Sequence, residues 1–591
     1  MSIAVESKAL LKGAHFIINP SSPDSVFTPE DFNEEQKMIK VTVQDFIEQD
    51  FAPLSDRLEH GEHDLNITLL KKLGDLGILG AHMPESFGGM ELDINTNTII
   101  FETLGQTGAF STTFGAHTGI GMLPILYFGT EEQKTKYLPE LITGDKVACY
   151  CLTEPGSGSD ALAAKTRADL SPDGKHYILN GQKMWISNAG FADVFIVFAK
   201  IDGTDFTGFI VEKDMPGLSL GAEEKKLGIK GSSTRQVFFE NLKVPVENLL
   251  GKQGEGHLIA FNVLNTGRYK IGPGVVGASK KLVGISAKYA NERKQFGKAI
   301  SEFGAIQSKI ADQTVKVYAA ESAVYRTSGL IQDLVEELKE GGMESSTAKL
   351  EAAEEYALES SILKIAATDI LSHVVDEAVQ IHGGIGYSEE SAVARAYRDA
   401  RISKIYEGTN EINRMLMINL IFKRAMKGKL DFASAAIKVQ QELITGKSGE
   451  NNDQSPELLA VENFKKIALM LIGSVGQLAM QGKLNLKVEQ ELMMNLADVL
   501  NYAFLAESSL LRTLKNPTGA KEEMTQLYIR EATDMIRIKA LEAIGTFAKP
   551  KLQEGFVNGV DTLLTYPLVN TRDLRRSIAK QVIEKEAYTT V

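Results

Sequence analysis

The sequence has 591 residues, of which 43% are hydrophobic, 24% charged and 7% aromatic, as in a folded globular protein of several domains. The formal net charge of −13 argues against nucleic acid or an anionic lipid surface as a general partner. The only two cysteines, Cys149 and Cys151, are too few for a disulfide scaffold and too close in sequence for a comfortable bridge, which indicates a reducing compartment.

The first twenty residues lack the basic and apolar segments of a signal peptide and the Arg-rich character of a transit peptide, so we expect a cytoplasmic protein. The longest uncharged stretch, residues 467–482, is shorter than the ~20 apolar residues that a membrane span requires. No transmembrane segment and no metal site are predicted.

The hydrophobic pattern divides the chain into four parts. A helical period covers residues 28–148, and short β-rich runs separated by turns cover residues 149–266. A helical period returns past Arg268 and predicts a four-helix bundle over residues 267–429, and residues 430–591 form an additional α-helical domain. Residues 445–456 have the composition of a linker. The predicted fold class is therefore a multidomain α+β protein with a middle β-barrel or sandwich domain.

Two glycine- and serine-rich stretches lie in the β part. Residues 150–160, YCLTEPGSGSD, leave backbone N–H and hydroxyl groups free for an anion or a polar ring edge, although a loop between domains has the same composition. Residues 180–190, NGQKMWISNAG, contain the only tryptophan, Trp185. A lone tryptophan is most often a core or rim residue, but beside Ser187 its ring could cover one face of a planar cofactor.

Three further stretches lie in the predicted bundle. Residues 291–300, NERKQFGKAI, combine arginine and phenylalanine, which could hold a dinucleotide or simply end a helix. In residues 380–387, QIHGGIGY, the paired glycines indicate a helix end or a backbone lying against phosphate. In IYEGTNEI, Glu407 precedes a helix, where it could serve as an N-terminal contact or, if desolvated, as a general base.

Taken together in this order, TEPGSGSD, WISN, RKQFG, QIHGGIGY and IYEGTNEI resemble the motifs of the acyl-CoA dehydrogenases over roughly residues 30–425. The section after residue 430 is similar to that of the very-long-chain subgroup, and the N-terminal region is similar to long bacterial members. In the family the Glu of IYEGT is the catalytic base, which implies that role for Glu407. A second family pattern places the base at the position that Gly267 occupies here, and glycine cannot act as a base, so Glu407 is the single candidate that the resemblance implies.

The resemblance also implies an FAD site. Residues expected beside the flavin ring are Tyr150, Leu152, Thr153, Gly158, Ser159, Trp185, Ile186 and Ser187. Residues expected to contact the FAD of a neighbouring chain are Arg293, Gln295, Phe296, Phe303, Gly304, Gln380, Ile381, His382, Gly383 and Gly384, with Thr409, Asn410 and Glu411 completing that site. Some relatives have glutamine at the position of Glu411.

For a fatty acyl-CoA substrate, the implied thioester and pantetheine contacts are Ser159, Asn265, Arg268, Tyr406 and Gly408. Small residues at Gly115 and Ala116 favour a deep pocket and long acyl chains. The implied reaction is α,β-desaturation in fatty acid β-oxidation, with electrons passing to electron-transfer flavoprotein. The additional domain implies a homodimer, because in the subgroup it covers the surface used for tetramer formation, and its acidic, polar segment argues against membrane attachment.

Two alternatives remain open at this stage. An acyl-CoA oxidase would share the base and the flavin but would pass electrons to dioxygen. A non-catalytic binding or assembly protein of the same superfamily would keep the fold without the reaction; the intact Glu407 argues against it.

Overall fold

The computed structural model describes residues 10–445 and 454–590. Most of the linker predicted at residues 445–456 lies outside the described residues. None of the described helices combines the length and the hydrophobicity that crossing a membrane requires.

The N-terminal part is helical, and several of its helices begin at side-chain caps. The side chains of Asn33 and Thr130 each accept a hydrogen bond from the backbone N–H of the residue three positions later. That residue is a glutamine in both cases, and its side chain accepts a hydrogen bond from the backbone N–H of the cap residue. Each cap thus satisfies two backbone donors that the helix leaves unpaired. The helices are α1 (Glu34–Phe46), α2 (Ser55–Glu59), α3 (Leu65–Asp75), α4 (Ile94–Gly105), α5 (Ala109–Gly115), α6 (Leu123–Phe128) and α7 (Glu131–Thr143). A π-helical turn over residues 116–121 joins α5 to α6.

The middle part is a single eight-stranded sheet. Its strands are β1 (Ala148–Cys151), β2 (Arg167–Leu170), β3 (His176–Ser187), β4 (Val194–Ile201), β5 (Asp205–Glu212), β6 (Leu218–Glu223), β7 (Thr234–Pro245) and β8 (Leu249–Leu250). Their order is β6-β7-β3-β2-β4-β5-β8, and β1 pairs in parallel with β4. β4 is buried along most of its length because both faces of the sheet are covered at that point, which explains its almost continuous apolar sequence.

The third part is built on long helices that pack against one another. Its elements are α8 (Gly256–Glu292), the short strands β9 (Lys294–Gln295) and β10 (Lys298–Ala299), α9 (Gly304–Glu340), α10 (Ser345–Glu355), α11 (Ala357–His382), α12 (Ala392–Ala400) and α13 (Asn410–Met426). The sequence shows a helical period only from about Arg268 onward, but α8 begins twelve residues earlier, at Gly256. The first turns of α8 contain an unbroken apolar run, residues 258–261, followed by Asn, Thr and Gly among apolar residues, and this pattern hides the helical period.

The last part is helical as predicted and packs on the outer face of α9 and α13. Its helices are α14 (Phe432–Thr445), α15 (Pro456–Met480), α16 (Gln490–Lys515), α17 (Gly519–Phe547), α18 (Pro550–Leu563) and α19 (Thr571–Lys585). The apolar face predicted from the spacing in α16 is buried in the core, from Leu492 to Leu510. The N-terminal residues 13–21 lie between this part and the bundle, where the Phe16 and Phe504 ring centroids are 4.7 Å apart. These features confirm the predicted fold class.

Candidate active site

Glu407 lies in a strained loop between α12 and α13. Its φ is 56° and that of Gly408 is 82°, so both residues are in the left-handed region, which a glutamate rarely adopts without support. Asn413 provides that support: its side-chain amide donates to the carbonyls of Gly408 at 2.8 Å and Thr409 at 3.0 Å. The guanidinium of Arg268 on α8 donates to the Glu407 carbonyl at 3.2 Å. The loop is therefore fixed from two helices.

The Glu407 carboxylate points toward α8 and has an unusual environment. Its Oε2 atom is buried and has no hydrogen-bond partner among the described residues. Gly267 leaves the space for it, because a Cβ at that position would lie 2.8 Å from Oε2. Burial raises the pKa of Glu407 to about 7, although the charges of Arg268 and Lys364 act in the opposite direction. A carboxylate with this pKa suits a general base at neutral pH.

The sequence analysis did not identify Lys364, which lies behind the loop on α11. Its ammonium group donates to the Asn410 side-chain oxygen at 2.5 Å, and the Asn410 amide donates to Thr368 at 3.0 Å and Asp369 at 3.1 Å. Burial lowers the pKa of Lys364 to about 8. Lys364 thus stabilises the loop through Asn410 and makes no hydrogen bond to Glu407 itself. Asn410, expected as a cofactor contact, is buried and bonds inside the protein.

The first glycine- and serine-rich loop and the tryptophan strand lie side by side. The backbone N–H of Met184 on β3 donates to the Thr153 carbonyl at 2.9 Å. The ammonium group of Lys183 donates to the Leu152 carbonyl at 3.1 Å and to Glu154 at 2.7 Å, in a buried ion pair that the sequence motifs did not predict. The structure therefore brings residues 150–154 together with residues 183–187.

Several groups in this region are free to contact a planar ligand. The Tyr150 hydroxyl is buried without a hydrogen-bond partner, and the charge of Glu407 and burial together raise the Tyr150 pKa, with burial the larger cause. Trp185 has a φ of 61°, and 53% of its side chain is exposed despite its place in a strand. A Cβ on Gly158 would meet no atom within 4 Å. Ser159 is exposed, Ser187 is partly exposed, and Ile186 is buried.

A second group of predicted cofactor residues lies at the other end of α8. Phe296 has a φ of 52° and is 94% exposed, and its ring centroid is 6.1 Å from that of Phe303 at the start of α9. The rings of Tyr289 and His382 stack at 4.0 Å, which places the end of α11 beside this turn. Gly383 and Gly384 have open space where a Cβ would lie.

Within the part of the chain that the structure describes, no hydrogen bond, ion pair or ring contact joins this second group to the residues around Trp185. Arg293, Gln295 and Gln380 are exposed, and Ile381 is buried in the bundle. Gly304 lies beside three arginines of α19, with which it lines a cavity of about 280 Å³. The second group is thus a surface available to another molecule.

Among the residues expected at the acyl thioester, Arg268, Tyr406 and Gly408 adjoin Glu407, and Asn265 is joined to Arg268. Arg268 donates to the Asn265 side-chain oxygen at 2.7 Å, which orients both residues on α8. Burial and the neighbouring Glu407 raise the pKa of Tyr406, which keeps its hydroxyl protonated. Gly115 at the end of α5 has open space: a Cβ there would meet only the edge of the Phe101 ring, at 4.0 Å. Ala116 is buried at the start of the π-helical turn.

Comparison with known proteins agrees with this arrangement. Models of the acyl-CoA dehydrogenase N-terminal, middle and C-terminal domains match residues 33–145, 149–242 and 254–421, and a further acyl-CoA dehydrogenase C-terminal domain model matches residues 463–557. A probable acyl-CoA dehydrogenase of Bacillus subtilis is 43% identical over 99% of this chain and 100% of its own length. The chain belongs to the acyl-CoA dehydrogenase family. The predicted resemblance is confirmed, and with it an oxidoreductase that acts on CH–CH groups.

Other relatives of this acyl-CoA dehydrogenase differ in the chain length that their names give. A human mitochondrial very long-chain specific acyl-CoA dehydrogenase is 37% identical over 67% of this chain and 59% of its own length. A short-chain specific enzyme of Clostridium acetobutylicum is 35% identical over 66% of this chain and 100% of its own length. Among solved structures, a Bacillus anthracis acyl-CoA dehydrogenase complexed with FAD is 46% identical, with a TM-score of 0.94, over 98% of this chain and 100% of that one.

Proposed function

We propose that this protein is an FAD-dependent acyl-CoA dehydrogenase that converts a fatty acyl-CoA to the trans-2-enoyl-CoA, with Glu407 as the base. The observation that supports this most strongly is the buried Glu407 carboxylate, which has no hydrogen-bond partner and a pKa of about 7. A structural glutamate of this kind would be costly, because a buried charge without a partner destabilises the fold. A general base needs such a position, since its oxygen must be free to accept a proton.

The residues present fit a flavin. The Tyr150 hydroxyl lacks a partner, the Trp185 indole is half exposed, and Gly158 leaves open space beside them. We propose that Tyr150, Leu152, Thr153, Gly158, Ser159, Trp185, Ile186 and Ser187 hold the ring-bearing half of FAD. Bound FAD would supply the acceptor, its N5 atom, for the hydride that leaves the substrate β carbon.

Glu407 removes the proton from the α carbon, and the electron pair of that C–H bond forms the new double bond. The proton is acidic only if the thioester carbonyl is polarised, and the backbone N–H of Glu407 donates to no described residue, so it is available for that carbonyl. Arg268 fixes the loop from one side and Asn413 from the other, so Glu407 does not need to reorganise before the reaction.

The second group of residues, around Phe296 and Gly383, supports binding of the adenosine half of FAD from a second copy of the chain. Most of these residues are at least partly exposed or border open space, and they have no described contact with the first group: Arg293, Gln295, Phe296, Phe303, Gly304, Gln380, His382, Gly383 and Gly384. Ile381 is buried in the bundle. The proposal therefore requires a homodimer. A single chain that retains FAD fully at high dilution would contradict it.

The acyl chain would pass from Glu407 toward Gly115 and Ala116. The open space at Gly115 supports the hypothesis of long chains, and a chain-length profile that peaks at about four to six carbons would contradict it. Electron-transfer flavoprotein is the proposed electron acceptor. A solved chain described under the electron transferring flavoprotein of Acidaminococcus fermentans is structurally similar to this one and is 36% identical over 67% of it. A cytoplasmic location stays a prediction.

An acyl-CoA oxidase is the second candidate, because it would use the same base. Peroxide formed in proportion to product during aerobic turnover would favour it over a dehydrogenase. Purified protein without flavin would favour a non-catalytic assembly role.

The proposal is tested by anaerobic titration of the flavin-loaded protein with acyl-CoAs of increasing length, following loss of flavin absorbance. We expect bleaching with the native protein. Glu407→Gln should retain FAD and lose roughly 10²–10⁴-fold in the rate of bleaching, because the amide cannot accept the proton. Glu554→Gln, which changes an exposed glutamate of α18, is the matched control and should bleach normally. Equal bleaching by the Glu407→Gln protein would disprove the role of this residue.

A further inference from the structure

Three basic side chains on elements that do not adjoin in sequence lie within electrostatic reach of one another between the helical parts, two of them buried and one partly buried. They are His82 in the loop after α3, Lys270 on α8 and Lys349 on α10, and we refer to them as the basic cluster. The charges of Lys270 and Lys349 both lower the pKa of His82, after burial as the main cause, which shows that the three groups act on one another. Like charges gathered in the interior repel one another, so these groups lose their protons more readily unless a nearby anion stabilises the charged forms.

The polar atoms of the basic cluster are poorly satisfied. Lys270 makes no hydrogen bond or ion pair with any other described residue, and its ammonium group instead lies 4.7 Å from the centroid of the Phe101 ring. The Nδ1 atom of His82 is buried without a hydrogen-bond partner, while Nε2 contacts the Tyr127 hydroxyl at 3.0 Å. Lys349 donates only to the His82 carbonyl, at 3.2 Å.

Nearby carboxylates do not neutralise the cluster. Glu91, Asp93 and Glu344 act on Lys349 without an ion pair to it, and Lys339 acts with the opposite sign. Burial and, to a smaller extent, the charge of Lys349 lower the pKa of Lys270 to about 7, and no carboxylate raises it. No described carboxylate therefore forms an ion pair with the basic cluster, and a bound anion would neutralise it.

The position of Lys270 on α8 connects the cluster to Glu407. Gly267 faces the Glu407 carboxylate, and Lys270, three residues further along, is on the same side of the helix, displaced by about 4.5 Å along its axis. From there the Lys270 side chain lies 3.9 Å from where a Cβ on Gly119 would be. Lys270 thus lies on the path from Glu407 toward the helices that contain Gly115 and Gly119.

This path has space for a ligand. Phe101 and Lys270 are both only partly buried. The loss of hydration around Lys270 is nevertheless large enough to lower its pKa to about 7. A Cβ on Gly115 would meet only Phe101, at 4.0 Å, and a Cβ on Gly119 would meet only Lys270, at 3.9 Å, so these four residues border open space, which we call the hollow. A purely apolar acyl chain would leave the ammonium group at this hollow without a partner.

We propose that this hollow ends in an anion-binding site formed by Lys270 with His82 and Lys349, which takes the terminal carboxylate of an ω-carboxyacyl-CoA. The inference rests on the proposed function and specifies its substrate class. A terminal carboxylate would accept charge-assisted hydrogen bonds from the ammonium group of Lys270 and neutralise the cluster. A methyl end of the same chain length would do neither.

The test compares pairs of acyl-CoAs of equal length, one ending in a methyl group and the other in a carboxylate, in anaerobic titrations of the flavin-loaded protein. For at least one chain length we expect the carboxylate-ended member to bind more tightly. Lys270→Met should weaken binding of that member by roughly ten- to a hundredfold and leave the methyl-ended member unchanged or tighter. Lys288→Met, an exposed lysine of the same helix, is the control and should leave the preference intact.

Lys349→Met provides a second variant, with the same expected loss of preference, in case Lys270→Met does not fold. A methyl-ended preference at every length in the native protein, or equal effects of Lys270→Met on both members of a pair, would overturn the site while leaving the proposed function in place. Absence of bleaching with both series would instead overturn the proposed function.

Discussion

Two buried glutamates of this protein have opposite environments. Glu407 in the active-site loop has one carboxylate oxygen without any hydrogen-bond partner. Glu321 on α9 is 2% exposed, but its carboxylate is paired with Lys280 and with Arg512 at 2.7 Å, and it accepts a hydrogen bond from the Tyr588 hydroxyl at 2.7 Å. Burial favours the neutral form of both residues, and the difference lies in the partners.

The pKa values follow from this difference. At Glu407 burial outweighs the charges of Arg268 and Lys364 and raises the pKa to about 7. At Glu321 burial acts in the same direction, but the charges of Arg512 and Lys280 outweigh it and lower the pKa below its usual value. The additional C-terminal domain is thus attached through paired charges, whereas the active site keeps an unpaired one. Glu359 also has a buried carboxylate oxygen without a partner and a pKa of about 7, but its other oxygen accepts a hydrogen bond from the Ala14 N–H at 2.7 Å. Glu407 differs from both residues because neither of its carboxylate oxygens accepts a hydrogen bond from a described residue.

The largest effect on stability is expected at Glu321. Glu321→Gln removes one charge from a buried network and leaves Lys280 and Arg512 with fewer partners, so we expect a loss of about 3–5 kcal/mol. Thermal or denaturant unfolding measured by circular dichroism should show it. Glu542→Gln, which breaks an exposed pair with Lys539, is the control and should cost at most about 1 kcal/mol. Equal effects of the two changes would contradict the role of the network.

The next effect is on activity and concerns the space beside Glu407. Gly267→Ala would place a Cβ 2.8 Å from the Glu407 Oε2, so the carboxylate must move. A displacement of this size should slow flavin reduction by roughly 10²-fold without loss of FAD. Gly545→Ala on α17, where the added Cβ meets no atom within 4 Å, should leave the reduction rate unchanged. Normal reduction in the Gly267→Ala protein would show that the base does not require this position.

Asn413→Ala should have a smaller effect on both properties. The change removes the hydrogen bonds to the Gly408 and Thr409 carbonyls, and we expect a loss of about 1–3 kcal/mol in stability and about tenfold in the rate of flavin reduction. Stopped-flow absorbance and unfolding curves measure the two. Asn180→Ala, which removes an exposed contact with Asn241, serves for comparison and should change neither. A stability loss without a rate effect would make Asn413 purely structural.

The last expected effect is a pH-dependent difference in stability, similar in size to the stability loss expected for Asn413→Ala. The pKa of Glu407 is higher in the folded protein than in the unfolded chain, so the folded state binds the proton more tightly and loses stability as pH rises through about 7. Glu407→Gln should therefore be more stable than the native protein by about 1–3 kcal/mol above pH 7, and the difference should disappear toward pH ~4. Unfolding curves at several pH values measure it. A difference that increases toward low pH would contradict the assignment.

The sequence predicted the repeating elements well and the individual polar contacts poorly. The alternating pattern of residues 176–187 became β3, and the apolar face of α16 is buried, because both follow from one period. Lys270, Lys364 and Asn413 could not be identified in this way. Each is a polar residue at a partly or fully buried helical position, and its role depends on residues far away in the chain, which periodicity does not reveal.

The motif residues illustrate the same limit. The motifs predicted that Glu407 and Trp185 matter, but not that Gly267 provides the space for the carboxylate or that Lys183 and Glu154 join the first loop to β3. The beginning of α8 was also predicted too late, because the unbroken apolar run at residues 258–261 and the Asn, Thr and Gly that follow show no clear helical period. Local patterns thus locate candidate groups, and long-range packing decides what each group can do.

The most direct test of Glu407 as an unpaired buried base is the pH dependence of the first anaerobic flavin reduction by acyl-CoA. The rate should rise with pH and level off, with a midpoint near 7, because only the ionised carboxylate accepts the α proton. In Glu407→Gln this rise should vanish together with the rate. A midpoint near the ordinary glutamate pKa of about 4.3, or a pH profile that survives the substitution, would contradict the account.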